Sequence, residues 1–219
     1  MLVGAGAAVA AIGAAVALVP VLAGPDQEPE RIRTAAEARD VAKRVALTPA
    51  DWGSGYVRSD PYETDDVTHY VADDSCYIVA QRPATMLAGL QRSVQKSDQS
   101  VGATSGVIVH RDAASATTDI ARMRADAARC PTELDSASKQ KWENVRALDL
   151  PDLKGSDEVA GEEGHLVVDH TGLKADTYYT QLTARKGQVL MQATVVRTAN
   201  QGHNREDAVN ALSVMLSRL

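Results

Sequence analysis

The first 24 residues carry no charged and no strongly polar side chain, and this segment constrains the chain more than any other feature. At a rise of about 1.5 Å per residue, a helix of this length crosses a hydrocarbon core of roughly 30 Å. Val21-Leu22-Ala23 also supplies small residues where a signal peptidase could cut. A buried soluble helix is disfavoured because the segment has no amphipathic face. We therefore predict a transmembrane or signal segment over 1–24, a linker over 25–33 and one extracytoplasmic domain over 34–219.

The residues that flank this segment add two expectations. No Lys or Arg precedes it, whereas basic residues follow it, among them Arg31, Arg33, Lys43 and Arg44. Read alone, the positive-inside rule would place the domain in the cytoplasm, so we expect that the true start codon lies upstream. Pro25 stands where the acylated cysteine of a lipoprotein signal would be, which excludes lipid anchoring at that position.

The two cysteines, Cys76 and Cys130, predict one disulfide. An even cysteine count in an exported chain indicates pairing, with two separate buried thiols as the alternative. Closing a loop of about 55 residues would contribute on the order of 4 kcal/mol in the chain-entropy model. The spacing excludes a CxxC redox pair, and two isolated cysteines do not form a zinc site.

Charge and composition limit the partners. The net charge of −6 belongs entirely to the part after residue 24, so the chain lacks the basic surface that DNA or RNA requires. Nucleic acid is excluded as a partner, and adhesion to an anionic lipid surface is disfavoured. With two Trp, six Tyr and no Phe, the core must come from aliphatic side chains, which leaves little excess stability.

Hydrophobic periodicity predicts three helices in the domain. The first covers 34–47, with Thr34 as N-cap and Glu37 completing a capping box. The second covers 112–129, where a buried stripe recurs at helical spacing: Ala116, Ile120, Met123, Ala127 and Cys130. The third covers 205–219 after the N-cap Asn204, with four residues expected to be buried: Val209, Leu212, Leu216 and Leu219.

Strand patterns predict two hairpins. One covers 86–111 with its turn near Lys96-Ser97-Asp98, and the other covers 177–197 with its turn at Lys186-Gly187. Residues 57–75 are acidic and turn-rich, and 75–80 is a short apolar run. Because no βαβ order occurs, the fold class predicted is α+β: a mainly antiparallel sheet packed against helices, preceded by one N-terminal hydrophobic helix.

The order of these elements resembles a known family. It is carried by LTPADWGSGY at 47–56, a cysteine after the first helix, RDAASATTDIARMRADAARC at 111–130, the terminal hairpin and the closing amphipathic helix. Over residues 45–219 the chain is similar to the PknH-like extracellular sensor domain of actinobacterial receptor kinases and related exported lipoproteins. The resemblance implies an antiparallel sheet packed against helices around a cleft, with a ligand that the family leaves undefined. The chain departs from the family in having one possible disulfide instead of two, no kinase domain and no lipobox cysteine, so signalling by phosphorylation is not carried over.

Catalytic motifs are not found. The chain has no Walker loop, dinucleotide fingerprint or HExxH, and Gly53-Ser54-Gly55 lacks the spacing of a nucleophile elbow. A Ser/His/Asp set could still be assembled in space, although nothing in the sequence singles one out. We expect no catalytic residue and no cofactor.

Two groups of residues have side chains of the types that bind metals, and no metal is expected at either. His165 and His170, with Glu162, Glu163 and Asp169, are the better candidate, but a spacing of five puts the two imidazoles on opposite faces of a strand. A polar edge strand and turn is the favoured interpretation. The acidic run lacks EF-hand spacing and is interpreted as a solvated loop: Asp60, Glu63, Asp65, Asp66, Asp73 and Asp74.

Aromatic residues are the predicted ligand surface, because Tyr combines apolar area with a hydrogen-bonding tip. The candidates are Trp52, Tyr56, Tyr70, Tyr178 and Tyr179, and the alternative is that they are core and rim residues only. The function predicted is a non-catalytic sensor or binding domain for a small molecule, cell-wall fragment or lipid, membrane-anchored or secreted. A structural or interaction module of the envelope, which would show a large exposed apolar patch, is the alternative. A hydrolase with dispersed catalytic residues is the third.

Overall fold

The computed structural model describes residues 31–65, 69–136, 138–170, 173–198 and 201–219. The predicted hydrophobic segment 1–24 lies outside these residues, as does most of the predicted linker. None of the described helices is long and apolar enough to span a membrane.

The described chain forms three α-helices, a 3₁₀ turn and ten strands. The helices are α1 (Ala35–Val45), α2 (Ala113–Arg129) and α3 (Gln201–Leu216), and the 3₁₀ turn is Pro49–Trp52. The strands are β1 (Tyr56–Thr64), β2 (His69–Ala72), β3 (Ile78–Gln81), β4 (Met86–Lys96), β5 (Val101–His110), β6 (Thr132–Asp135), β7 (Gln140–Ala147), β8 (Glu158–His170), β9 (Leu173–Lys186) and β10 (Val189–Arg197).

Eight strands form one sheet in the order β1-β4-β5-β10-β9-β8-β7-β6, and every neighbouring pair in it is antiparallel. Strands β2 and β3 form a separate two-stranded hairpin. The structure is therefore α+β with a mainly antiparallel sheet, as the sequence predicts.

Helices cover both faces of the sheet. Strand β10 shows the division: Val189, Met191, Ala193 and Val195 are buried in the core that includes α1 and α3. Leu190 points the other way and packs with Ile108 and the α2 residue Ile120. The predicted alternation of this strand is confirmed, and each face is covered by at least one helix.

The start of α1 follows the predicted capping box, and α2 matches its predicted bounds of 112–129 to within one residue. At α1 the Thr34 hydroxyl accepts from the Glu37 backbone N–H while the Glu37 carboxylate accepts from the Thr34 N–H, which is the predicted capping box. At α2 the Asp112 carboxylate accepts from the Ser115 N–H, and the helix ends at Arg129 before Cys130.

The predicted start of α3 is wrong. The helix begins at Gln201, so Asn204 lies inside it, and its buried side chain donates to the Tyr178 carbonyl at 3.0 Å instead of capping. Leu212 and Leu216 are buried as predicted, whereas Val209 is only half-buried and Leu219, which lies beyond the end of the helix, is 38% exposed. The buried stripe of α3 consists of Ala208, Ala211, Leu212, Met215 and Leu216.

The structure corrects the interpretation of two regions, 57–75 and 158–170. The acidic stretch 57–75 contains β1 and β2, and its charges fit β1 because that strand lies at the sheet edge. Residues 158–170 are not a polar edge strand, since β8 lies between β7 and β9. Close approach of β7 explains one unusual residue in β8: a Cβ on Gly164 would lie 2.8 Å from the Glu143 carbonyl oxygen.

Candidate functional site

A disulfide joins Cys76 to Cys130, as predicted. Cys76 lies in the turn of the β2–β3 hairpin, and Cys130 is the C-cap residue of α2, with the two Cα atoms 5.6 Å apart. Because 54 residues separate the two cysteines, the bond ties the hairpin tip to an element far away in sequence.

Two further contacts hold the same hairpin. The Arg129 guanidinium donates to the Asp73 carbonyl at 2.8 Å and to the Ala72 carbonyl at 3.1 Å. Leu134 of β6 donates its backbone N–H to the Cys76 carbonyl at 3.2 Å and forms a parallel bridge with Tyr77. The hairpin tip is thus attached to the end of α2 and to the edge strand β6.

A cleft of about 460 Å³ lies at the base of this hairpin. Its walls are the end of β3, the β3–β4 connection, the end of β5 and the first half of α2. Eight of the nine lining residues are polar, namely Gln81, Arg82, Thr85, His110, Ser115, Thr118, Asp119 and Arg122, and the ninth is Pro83. A ligand in this cleft would meet hydroxyl, amide and guanidinium groups, which suits a polar molecule better than a lipid chain.

A hydroxyl–imidazole–carboxylate chain forms the floor of the cleft. His110 is 1% exposed, its Nε2 lies 3.1 Å from Asp119 Oδ2, and its Nδ1 lies 3.2 Å from Thr85 Oγ1. Arg122 donates to the other Asp119 oxygen at 2.6 Å. Because an ionised carboxylate only accepts hydrogen bonds, Nε2 donates to Asp119, and the bond between Nδ1 and the Thr85 hydroxyl completes the chain.

Arg122 also connects the two walls of the cleft. Its Nη1 donates to the Gln81 side-chain oxygen at 3.3 Å while its Nη2 binds Asp119 on its own helix. The base of the hairpin is therefore bonded to α2 directly, and its tip is bonded through the disulfide. These bonds hold Gln81, the last residue of β3, at the wall of the cleft opposite α2.

The five aromatic residues proposed for ligand binding lie apart from this cleft. Trp52 and Tyr56 pair with each other, their ring centroids 6.1 Å apart, and the Lys96 Nζ lies 4.3 Å from the Tyr56 ring centroid. Burial raises the pKa of Tyr56, with the charge of Asp207 acting in the same direction and that of Arg197 opposing it.

The other three aromatic candidates are dispersed. Tyr70 is 66% exposed on the hairpin, and Tyr178 packs edge-on against His165 with centroids 4.5 Å apart. Tyr179 is buried on the opposite face and donates to Glu162 at 3.2 Å. Their role in ligand binding stays a prediction.

Among the described residues, no group of three or more His, Cys, Asp or Glu is arranged to hold a metal. The side chains of Asp169, His170 and Asp66 lie outside the description. Glu163, from the better candidate group, is buried and binds Arg146 and Arg205.

One signal in the sequence could have revealed the cleft. Asp119 lies between Ala116 and Ile120 on the buried stripe of α2, and a carboxylate on an apolar helix face requires a partner. That partner, His110, ends the hairpin strand β5, and the Met86↔His110 pairing brings Thr85 beside it. The sequence alone does not show this pairing, since it depends on the strand register.

The fold and its cleft define an α+β domain in which an eight-stranded antiparallel sheet is covered by helices on both faces. This fold is similar to that of the extracellular domain of PknH from Mycobacterium tuberculosis. The TM-score is 0.57 at 11% sequence identity, and the likeness covers 81% of this chain and 96% of that domain. No family model and no curated protein matches the sequence.

Proposed function

We propose that the chain is a non-catalytic extracytoplasmic domain that binds a polar ligand, such as a cell-wall fragment or another polar small molecule. The observation that carries the proposal is the polar cleft whose hairpin wall is cross-linked to α2. A long-range disulfide is typical of compartments outside the cytoplasm, and the uncharged segment 1–24 would deliver or anchor the domain there. The fold shared with an extracellular domain supports the same location.

The resemblance noted in the sequence supports a sensing role. In this proposal the domain belongs with the PknH-like extracellular domains. It signals to a partner protein whether a ligand is bound. A lipid is the weaker ligand because eight of the nine residues that line the cleft have polar side chains. Trp52, Tyr56, Tyr70, Tyr178 and Tyr179 remain candidates for a second contact surface.

Two neighbouring threonines allow a matched test. Both Thr117 and Thr118 are exposed on α2 and donate their hydroxyls to backbone carbonyls four residues earlier, but only Thr118 lines the cleft. We expect Thr118→Trp to weaken binding of muropeptides, released from peptidoglycan by a muramidase, by at least about tenfold, because an indole fills the cleft. Thr117→Trp should bind as the unaltered chain does.

Titration calorimetry and backbone NMR shifts give the affinities and locate the bound fragment. Shifts centred on Thr85, Ser115 and Thr118 support the cleft. Equal affinity of the two tryptophan variants would mean that muropeptides bind outside the cleft. If muropeptides bind to neither variant nor the unaltered chain, the proposed ligand class is wrong.

A hydrolase is the second candidate, since a hydroxyl hydrogen-bonded to a carboxylate-bound imidazole is the arrangement of an activated nucleophile. Against it, the imidazole is almost fully buried and both its nitrogens are engaged. We expect the chain to hydrolyse p-nitrophenyl acetate no faster than its Thr85→Val variant. Turnover that disappears in Thr85→Val would instead identify Thr85 as a nucleophile.

A further inference from the structure

The last residues of the predicted linker are bonded to the domain through one side chain. Gln188, which precedes β10, pairs with the backbone of Ile32. The Ile32 N–H donates to Gln188 Oε1 at 3.1 Å, and the Ile32 carbonyl accepts from Gln188 Nε2 at 2.8 Å. The Ile32 side chain packs against the core that includes α1, and that helix begins three residues later. The chain therefore enters the domain at a defined point of attachment.

The same side chain is bonded to the floor of the cleft. Gln188 Nε2 also donates to the His110 carbonyl at 2.7 Å, and the His110 N–H donates to the Gln188 carbonyl at 2.9 Å. A carboxamide group is planar and has two N–H donors and one carbonyl acceptor. In Gln188 one donor and the acceptor serve Ile32, and the other donor serves His110. A shift of the His110 carbonyl therefore disturbs both bonds to Ile32.

A second contact leads from the linker to the other side of the cleft floor. The Arg31 guanidinium donates to the Arg111 carbonyl at 3.3 Å, and the Arg111 N–H donates to the Thr85 carbonyl at 2.7 Å. Thr85 lines the cleft, and its hydroxyl is bonded to His110 Nδ1 at 3.2 Å. Each of the two linker residues thus reaches a residue of the cleft floor through one intermediate residue.

We propose that these contacts transmit occupancy of the cleft to the linker, so that a bound ligand tightens the attachment of Ile32 to Gln188. This coupling rests on the proposed function, in which the cleft is the ligand site. A ligand that bonds Thr85 and the α2 wall restricts the end of β5, where His110 lies. With the His110 carbonyl held in place, the Gln188 amide keeps its three bonds and residues 31–32 stay attached. By thermodynamic linkage, an attached linker favours the bound ligand to the same extent.

Hydrogen exchange of the Ile32 amide in the full chain measures the attachment directly, since this N–H donates to Gln188. Gln188→Ala removes both bonds to Ile32 and should lower the protection factor of that amide by at least about tenfold. Thr85→Val keeps the shape of the side chain but loses the bond to His110, and it should lower the same protection factor by about threefold. Thr85→Val therefore tests the coupling from the cleft side without any ligand.

Thr117→Val is the matched control for Thr85→Val. It also removes a threonine hydroxyl from its hydrogen bond, but Thr117 is not among the residues that line the cleft, so Ile32 should keep its protection. Amides paired between β9 and β10 should exchange equally in all variants, which separates a local change from a general loss of stability. An Ile32 protection factor that is the same in Thr85→Val and in the unaltered chain overturns the proposal.

Muropeptides provide the second measurement. At saturating concentration they should raise the Ile32 protection factor of the unaltered chain by at least about fivefold, and they should leave that of Gln188→Ala unchanged although they still bind to it. Binding that leaves Ile32 unaffected in the unaltered chain also overturns the coupling. If muropeptides do not bind, the proposed ligand class is wrong, but Thr85→Val still decides whether the cleft and the linker are coupled. The two failures are therefore distinguishable.

Discussion

Replacing both cysteines, Cys76→Ser with Cys130→Ser, is expected to lower the free energy of unfolding by about 4 kcal/mol, the largest effect predicted for this chain. The bond closes a loop across 54 positions, so its loss releases a large part of the unfolded chain from a constraint. The core is aliphatic and contains no Phe, so this cross-link is a large fraction of a typical domain stability of 5–15 kcal/mol. Urea unfolding followed by circular dichroism measures the loss.

Reduction of the unaltered protein separates loop closure from side-chain packing, because Cys130 is fully buried and a serine there also places a hydroxyl in the core. Dithiothreitol should lower the stability of the unaltered protein by a similar amount and leave the double variant unchanged. A loss below about 1 kcal/mol on reduction would contradict the chain-entropy argument. Such a result would also remove one reason to place the domain outside the cytoplasm, where the bond is maintained.

Reduction should also have a local effect. Of the three attachments of the hairpin tip, the contact of Arg129 and the bridge to β6 do not require the bond. They hold the hairpin less firmly alone, since each is a hydrogen bond at the edge of the structure worth about 1 kcal/mol. The cross-link therefore contributes both to global stability and to the position of the cleft wall.

Much of the fold could be predicted from local patterns. The second hairpin and the α1 and α2 helices were found because their periodicity and caps are contained within about twenty residues, as with Thr34 and Glu37. Strands β6 and β7, and the position of β8 inside the sheet, could not be predicted in this way. Their charged residues look solvated in sequence, whereas in the fold Glu133 is buried and Glu162 is half-buried.

The site was less accessible to sequence reasoning than the fold. Thr85, His110 and Asp119 are brought together by the register of β4 against β5 and by the packing of α2, and neither is encoded in a short motif. Aromatic content pointed instead to residues that the fold separates, with Trp52 and Tyr56 as the pair that it brings into contact. A polar site whose residues are brought together by long-range strand pairing can be identified only from the structure.

Glu163 is the second position at which a large effect is expected. Its carboxylate is 3% exposed on β8 and accepts hydrogen bonds from Arg146 and from Arg205, the latter at 3.1 Å to each oxygen. Removing both arginines leaves a buried charge without its partners, so Arg146→Ala with Arg205→Ala should lower the free energy of unfolding by about 3 kcal/mol. Each single variant should lose much less, because the carboxylate keeps one cation.

A rescue variant tests whether the uncompensated charge of Glu163 causes the loss of stability. Adding Glu163→Gln to the double variant removes the uncompensated charge and should restore most of the lost stability, measured by urea unfolding at neutral pH. Arg124→Ala is the matched control: it breaks an ion pair with Glu158, but Arg185 still binds that carboxylate, so the loss should stay below about 1 kcal/mol. If Glu163→Gln fails to restore stability, the arginines act through packing of their side chains, and the burial of the charge is not what makes them necessary.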